Sequence, residues 1–501
     1  MAAEPSEAAP PAAPAGLGQR IVRGTFNYGL GRILPQVVGF LLVPVYTAYL
    51  SPEDYGVLDM LTSFGSMLFI LMRLGVGGAV TRFYYDHKEG PDLRNLITTV
   101  GWFQVFASLG IGAIAIAAWP IYAPKTLPGI ALLPLGALVV VTQVLAGNSD
   151  IQRRLIQARE QSAYSAKLSL ANATVQIVLA IVFIVGFKMS VLGMLLSFHV
   201  AGVLFFIQAI AYLKPDLSGR YDRSMMRPAL LYAVGILPSQ LIGELSPVAT
   251  RALLANVDGV YDVGVLAIAT KFASPLAIVV SAFATAYLPI YFAARKDPTE
   301  ENVQRIAGIA RTVWIGFLIF GVGVALMGPP AIRILTPERF HAAAPLVPVV
   351  AAFQVVQIFY TLASPEIFYS QRTWLVPLIS LANAAVTVGL TVLWVKPYGA
   401  AGVSWATTCG LLVSSGLAAA TARRMVKVPY RWKRAAVMTV IASAAIAVSF
   451  KTAGMGAWSQ AGVNAAISLG FVAILYLTKD PALFEAVTLV KRRLGGGKRR
   501  S

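Results

Sequence analysis

The chain has 501 residues, of which 57% are hydrophobic and only 13% are charged. A soluble domain of this length needs more charge to cover its surface, so the composition excludes a large soluble domain and indicates that most of the chain lies in lipid. The net charge of +19 would indicate nucleic-acid binding in a soluble protein. In a membrane protein, basic residues collect in cytoplasmic loops, and we therefore expect no nucleic-acid partner.

Apolar runs of about twenty residues, the length that crosses a roughly 30 Å hydrocarbon layer, recur along the chain. The proline- and alanine-rich start predicts a disordered tail over residues 1–23 rather than a signal peptide. Fourteen transmembrane helices are predicted, at residues 24–49, 57–80, 96–119, 128–148, 164–187, 190–213, 228–254, 264–291, 306–328, 343–366, 373–395, 400–422, 434–452 and 459–478. Residues 479–501 are predicted to form a basic cytoplasmic tail.

Basic residues are distributed unequally between the two sets of loops. The set that includes both tails holds 29 lysines and arginines, whereas the alternate loops hold 6. Because lysine and arginine concentrate in cytoplasmic loops, this asymmetry predicts that both termini are cytoplasmic and that the number of spans is even. Fourteen spans meet that requirement.

An internal repeat indicates how the helices are organised. Gly56-Val57-Leu58 matches Gly264-Val265-Leu266 at an offset of 208, and the SLANA segment at Ser169–Ala173 recurs at Ser380–Ala384 at an offset of 211. In a third match, the start of predicted helix one is similar in sequence to the start of predicted helix seven. The matching segments are six spans apart and therefore cross the membrane in the same direction.

The repeat predicts a parallel duplication of six helices. We expect one lobe over residues 24–213, a second over 228–422, and two appended helices over 434–478. Two such lobes normally meet around a central cavity near the midplane of the membrane, and rocking of the lobes gives alternating access.

Four cationic side chains inside the predicted spans are candidate binding residues, because each costs a few kcal/mol in the bilayer unless it faces a partner or water. Arg32, Arg73 and Lys271 could bind an anionic group such as phosphate, for which the planar guanidinium group is well suited. A structural ion pair explains each of these three residues equally well. For Arg251, near a helix end, an ion pair is favoured over a substrate contact.

Two carboxylates in the spans are candidates for ion coupling. Glu244 lies in the middle of helix seven, on roughly the same face as Arg251. A buried carboxylate can bind H⁺ or Na⁺ and couple its gradient to transport, although a counter-charge to a cavity cation is an equal explanation. Asp59 lies near a helix end and is the weaker candidate.

Enzyme motifs are lacking. The three histidines are scattered, no H-E-x-x-H motif occurs, and Cys409 is the single cysteine. We therefore expect neither catalysis nor a cofactor, with H⁺ or Na⁺ as the only coupling ion.

Four segments of the chain resemble a known family. They are YGLGRILP at Tyr28–Pro35, LSPEDYGVL at Leu50–Leu58, LGVGGAVTRFYY at Leu74–Tyr85 and DVGVLAIATKF at Asp262–Phe272. These segments resemble the polysaccharide-biosynthesis (Wzx-type) flippases of the multidrug/oligosaccharidyl-lipid/polysaccharide (MOP) superfamily. The resemblance covers roughly residues 24–422.

The resemblance implies two six-helix bundles that move undecaprenyl-pyrophosphate-linked sugars from the cytoplasmic to the periplasmic leaflet of the bacterial inner membrane. Carried over by position, Arg32, Arg73 and Lys271 would be the cavity cations of this family, and Glu244 would couple an ion gradient. Expected partners are the lipid-linked oligosaccharide, membrane lipids, and polysaccharide polymerase or export proteins. Helices thirteen and fourteen depart from twelve-helix members and are similar to those of lipid II flippases.

Two other functions remain open from the sequence. A cation-coupled drug exporter of the same superfamily would need acidic rather than basic cavity residues, because its substrates are cations. A membrane glycosyltransferase or polymerase would need catalytic carboxylates or a large extramembrane loop, and no predicted loop exceeds about twenty residues.

Overall fold

In a computed structural model, residues 29, 31, 33–84, 90–297, 299–426, 432–452 and 454–477 are described. Across these ranges the chain is helical and contains no β-strand. The predicted all-α polytopic fold is confirmed. Arg32 and the predicted terminal tails lie outside the described residues.

The described part of the first half contains eight helices after an initial helical segment. Residues 33–41 are helical and lead into α1 (Val43–Tyr49) after a turn at Leu42. The helices that follow are α2 (Pro52–Arg73), α3 (Gly77–Tyr84), α4 (Pro91–Ala117), α5 (Trp119–Thr126), α6 (Ala137–Ala158), α7 (Ser162–Ile181) and α8 (Ser190–Leu213). Short π-helical turns at Leu132–Gly136 and Val182–Gly186 precede α6 and extend α7.

Among the described residues, the second half contains five helices, and two more follow it. They are α9 (Arg223–Asp258), α10 (Val260–Lys296), α11 (Glu300–Leu335), α12 (Val347–Tyr369) and α13 (Leu375–Met425), then α14 (Trp432–Ser449) and α15 (Ala457–Leu477). A 3₁₀-helix at Glu338–Leu346 joins α11 to α12.

The structure accounts for most of the fourteen spans that the sequence predicts. Ten helices are long and apolar enough to cross a membrane, among the residues searched. One of these, α13, contains two predicted spans, which meet at Gly399 with φ +51° and ψ −133°. A residue with a Cβ rarely adopts this backbone conformation, so glycine marks the break. The three remaining predicted spans overlap the first helical segment, α9 and α14, none of which meets these criteria among the residues searched.

The ends of α2 differ from the predicted span of 57–80, for local reasons. Ser51 and Asp54 form a reciprocal capping box, and Pro52 occupies the first turn, so the helix starts earlier than predicted. It ends at Arg73, because Leu74 and Gly75 both have positive φ, at 45° and 73°. A separate helix, α3, begins at Gly77.

The two halves share a hydrophobic core at the helix ends that the loop charges predict to be periplasmic. Leu50 and Tyr55 from the first half belong to this core, together with Val263 and Phe340 from the second. The rings of Tyr55 and Phe340 meet edge to face, with centroids 5.5 Å apart. We refer to this region as the closed end, defined by residues 47–56, 260–269 and 338–346.

Two glycines bring α2 and α10 into close contact at the closed end. A Cβ on Gly264 would collide with the carbonyl oxygen of Pro52, and one on Gly56 would collide with that of Val260. Backbone atoms cannot rotate away as a side chain can, so these positions require glycine for the helices to pack at this distance. The GVL segments of the internal repeat therefore contact each other.

Arg339 also joins the two halves at the closed end. Its Nη2 donates hydrogen bonds to the carbonyl oxygens of Thr47, Ala48 and Leu50, at 2.7, 3.0 and 3.2 Å. The last carbonyls of a helix have no partner within the helix, and a cation at that end also interacts favourably with the helix dipole. Arg339 therefore caps α1 from the other half of the chain.

Away from the closed end, the halves have separate cores. One core lies within the first half and includes Ile97 and Leu155, with Ala233 of α9 added. Another lies within the second half and includes Leu276 and Trp314, and it extends onto Phe471 of α15. Beyond the closed end, α9 packs against the first half through Ala233, and cavities are lined by residues of both halves.

Candidate functional site

Two neighbouring cavities lie between the helices. The smaller has a volume of about 260 Å³ and the larger about 1110 Å³. Gln176 of α7 and Phe198 of α8 line both, so the two cavities adjoin each other. Ligand pockets in proteins typically occupy about 300–1,000 Å³, so the larger cavity alone is slightly above that range and has room for a sizeable ligand.

The smaller cavity contains two of the predicted site residues. Asp59 of α2 and Lys271 of α10 both line it, one from each half of the chain. Tyr46 and Tyr55 contribute to its wall near the closed end. The sequence repeat placed α2 and α10 at equivalent positions, and the structure brings them together around this cavity.

Asp59 is paired with Arg251. Arg251 Nε donates to Asp59 Oδ2 at 2.9 Å, and the side chains are 20% and 23% exposed. Glu244 lies two turns earlier on the same helix, α9. The ion pair that the sequence favoured for Arg251 is present, and it uses one of the two predicted coupling carboxylates as the partner.

Lys271 is the cation of the smaller cavity. Its side chain is exposed, and no carboxylate of the described residues forms an ion pair with its ammonium group. An ammonium group with space in front of it can bind an anionic ligand without first breaking an ion pair.

Arg73 lies in a different cluster, at the opposite end of α2 from the closed end. Its Nη2 contacts Asp150 Oδ2 of α6 at 2.8 Å, and Arg153 and Arg154 also contact Asp150, at 3.7 and 3.3 Å. Arg73 additionally lies over the Phe69 ring, with its Cζ 4.8 Å from the centroid. Three guanidinium groups thus share one carboxylate, which leaves a positive surplus.

This cluster includes a residue that the sequence prediction missed. Asp150 lies two residues beyond the predicted end of helix four, whereas α6 continues to Ala158 and brings Asp150 alongside Arg73. The carboxylate is buried, so its pairing is expected from the cost of an isolated buried charge. The i, i+3 and i, i+4 spacing of Arg153 and Arg154 was the available signal. Of the three, Arg153 lines the larger cavity.

The wall of the larger cavity includes many uncharged polar side chains of the first half, among apolar ones. Five amide side chains belong to its wall, namely Gln143, Gln152, Gln157, Asn172 and Gln176. Hydroxyl groups contribute as well, including those of Ser169 on α7 and Thr285 on α10. The sequence analysis assigned no role to these residues. Neutral polar side chains cost less free energy in a membrane span than charged ones, so their presence in a span does not by itself indicate a site.

A second buried ion pair lies in the second half. Arg295 of α10 binds both oxygens of Glu366 on α12, at 3.0 and 3.3 Å, and Glu366 is 1% exposed. The hydroxyl of Tyr291 donates to the same carboxylate at 2.6 Å. With every oxygen bonded, this pair holds two helices together and is not available to a ligand. Among the residues searched, no group of three His, Cys, Asp or Glu side chains could hold a metal ion.

Known proteins with a similar fold are membrane transporters. The structure is similar to lipid II flippase MurJ in an inward closed conformation (TM-score 0.69, 12% identity, 92% of this chain and 99% of that one). It is also similar to a multidrug resistance MATE family transporter of the MOP superfamily in an inward-facing conformation (TM-score 0.63, 14% identity, 78% and 98%). A MOP superfamily transporter from Pyrococcus furiosus matches with a TM-score of 0.58, at 15% identity over 81% of this chain and 95% of that one.

Sequence comparison identifies the family. Protein 1 of the Lsg locus of Haemophilus influenzae is 24% identical over 301 residues, which are 56% of this chain and 67% of that protein. Residues 21–294 match the family described as polysaccharide biosynthesis protein, and this match covers more than half of the chain. The chain is a multi-pass membrane protein with a MOP-superfamily fold, and it belongs to the polysaccharide biosynthesis protein family.

Proposed function

We propose that this protein is a flippase, which moves undecaprenyl-pyrophosphate-linked oligosaccharides across the bacterial inner membrane by alternating access. The observation that carries the proposal is Lys271, an exposed ammonium group in a cavity walled by both halves of the chain. A cation at this depth is costly unless it faces water or an anion, and the pyrophosphate linkage supplies the anion. Membership of the polysaccharide biosynthesis family supports a glycan as the cargo.

The orientation follows from the loop charges. With both termini in the cytoplasm, the closed end faces the periplasm and the larger cavity lies toward the cytoplasm. Arg153, on the side of the larger cavity near the end of α6, would then meet the pyrophosphate first, and Lys271 would meet it deeper in the protein. Opening of the closed end would release the cargo to the periplasmic leaflet.

Export of cationic drugs is less well supported by the cavities. Asp59 is the single carboxylate among the described residues that line them, and Arg251 already neutralises it. Ion coupling through Glu244, with H⁺ or Na⁺, remains part of the proposal, because Glu244 is half-buried and has no ion pair among the described residues.

The test deletes the gene for this protein from its native bacterium and then supplies the gene again, as wild type or as a variant. The wild-type gene should restore the surface glycan. The Lys271→Ala variant should give about tenfold less surface glycan or lower still, since a hydrogen bond to a charged group contributes about 1.5–3 kcal/mol. Lys271→Arg should retain export. Lys296→Ala, the same change at the exposed end of the same helix, is the control. Normal surface glycan in the deletion strain would overturn the proposal.

A further inference from the structure

The repeated SLANA segment has different contacts in the two halves. In the second half, Asn383 Oδ1 accepts from Thr387 at 3.3 Å, and its Nδ2 donates to Ser414 at 3.1 Å. The amide thereby joins the two parts of α13, on either side of Gly399. Both ends of this amide are satisfied within the protein.

In the first half the equivalent amide faces the larger cavity. Asn172 Oδ1 accepts from Gln176 Nε2 at 3.0 Å, which matches the Asn383–Thr387 contact at the same offset of 211. The residue equivalent to Ser414 is Val203, which has no acceptor side chain. No hydrogen bond from Asn172 Nδ2 is formed within the described part of the chain, and both Asn172 and Gln176 line the cavity.

The wall around Asn172 has the chemistry of a carbohydrate site. Amide groups both donate and accept, so they match hydroxyl groups, which do the same. Phe198 and Phe205 line the same cavity and offer apolar ring surface to the C–H faces of a sugar. Arg153 is the single ionisable residue that the described wall of this cavity contains, and it lies 3.7 Å from Asp150.

We propose that the amide-lined wall of the larger cavity, centred on Asn172 and Gln176, is a binding site for an uncharged glycan. The site takes the sugar part of the cargo, while the cations take the phosphates. This inference rests on the proposed flippase function. The duplicated sequence serves packing in one half and ligand binding in the other, so the two lobes contribute unequally to recognition.

The test measures binding of two lipids to the full-length protein in nanodiscs by native mass spectrometry. One probe is undecaprenyl pyrophosphate without sugar, and the other is the lipid-linked glycan extracted from the deletion strain. Asn172→Leu and Gln176→Leu are compared with Thr174→Leu, an exposed position on the same helix outside the cavity walls. Thermal unfolding is recorded for each variant to identify any that fails to fold.

We expect both cavity variants to weaken binding of the lipid-linked glycan by about fivefold or more, while undecaprenyl pyrophosphate binding stays within about twofold of wild type. Thr174→Leu should bind both lipids normally, and the extracted glycan should carry no acidic sugar. If both cavity variants fold and bind the lipid-linked glycan as tightly as the wild-type protein does, the glycan site is overturned and the flippase proposal still stands. An acidic sugar in the extract would overturn the assignment of an uncharged glycan. Failure of the wild type to bind either lipid would instead contradict the flippase function.

Discussion

Arg251 Nε donates a hydrogen bond to Asp59 Oδ2 at 2.9 Å, and this contact joins α9 in the second half to α2 in the first. The carboxylate belongs to the wall of the smaller cavity, next to the closed end. The two groups are partly exposed, so water weakens the attraction between their charges without removing the geometric constraint. The pair therefore couples the charge balance of the cavity to the contact between the halves.

Reversal of the two charges tests this coupling. Asp59→Arg places two cations together and should reduce surface glycan about tenfold or more, because a bond to a charged group contributes about 1.5–3 kcal/mol. Arg251→Asp should have a similar effect. Combination of both changes should recover part of the export in the complementation assay, since the opposite charges face each other again. Export by the double variant no better than by the singles would contradict the pairing.

The glycine contact at the closed end gives a stability prediction. Gly264→Ala should lower the melting temperature, because the new Cβ meets backbone atoms of α2 that cannot move independently. Gly316→Ala is the matched control, because nothing lies within 4 Å of a Cβ at this position of α11. The control should melt at the same temperature or slightly higher, since alanine favours helix over glycine by about 0.5–1 kcal/mol. Equal melting of the two variants would contradict the close approach of α2 and α10.

Arg73 can be tested for a role beyond its ion pair with Asp150. Asp150→Leu alone should destabilise the protein, by about 3–5 kcal/mol if Arg73 remains buried without a partner. Arg73→Leu combined with Asp150→Leu removes both charges and should recover most of the melting temperature. If Arg73 binds cargo, this stable double variant should still export poorly. Full surface glycan from it would assign Arg73 a structural role alone.

Arg339 is predicted to hold the closed end shut. In a Cys409→Ser background, a cysteine at Thr62, in the smaller cavity, reports access from outside the cell through an impermeant maleimide. Arg339→Ala removes three hydrogen bonds to α1 and should increase labelling about tenfold, which corresponds to about 1.4 kcal/mol.

Arg333→Ala is the control for the Arg339 experiment. Its guanidinium donates to Gln460 of α15 and to the carbonyl oxygen of Met455. Labelling should therefore remain at the wild-type level, despite the same change of charge. Unchanged labelling in Arg339→Ala would show that other contacts suffice to keep this end closed.

Hydropathy predicted the helices well because each span must satisfy its own backbone hydrogen bonds in lipid. The span predicted at 190–213 coincides with α8 (Ser190–Leu213). Errors lie at helix ends, where a short cap or a single positive φ decides the boundary. The late start predicted for α2 and the early end predicted for helix four are both of this kind, and the second concealed Asp150.

The sequence alone determined the class of protein, the position of most spans and the presence of charged residues within them, because apolar length and composition act locally along the chain. Tertiary structure alone decided which charges meet. Arg251 reaches Asp59 across 192 positions and Arg73 reaches Asp150, whereas Lys271 is left to face a cavity. Which charged side chains form a pair depends on how the helices cross in space, and no local sequence pattern determines how they cross. The same holds for Asn172, whose repeated segment is identical in both halves, whereas the position equivalent to Ser414, the partner of Asn383, is Val203.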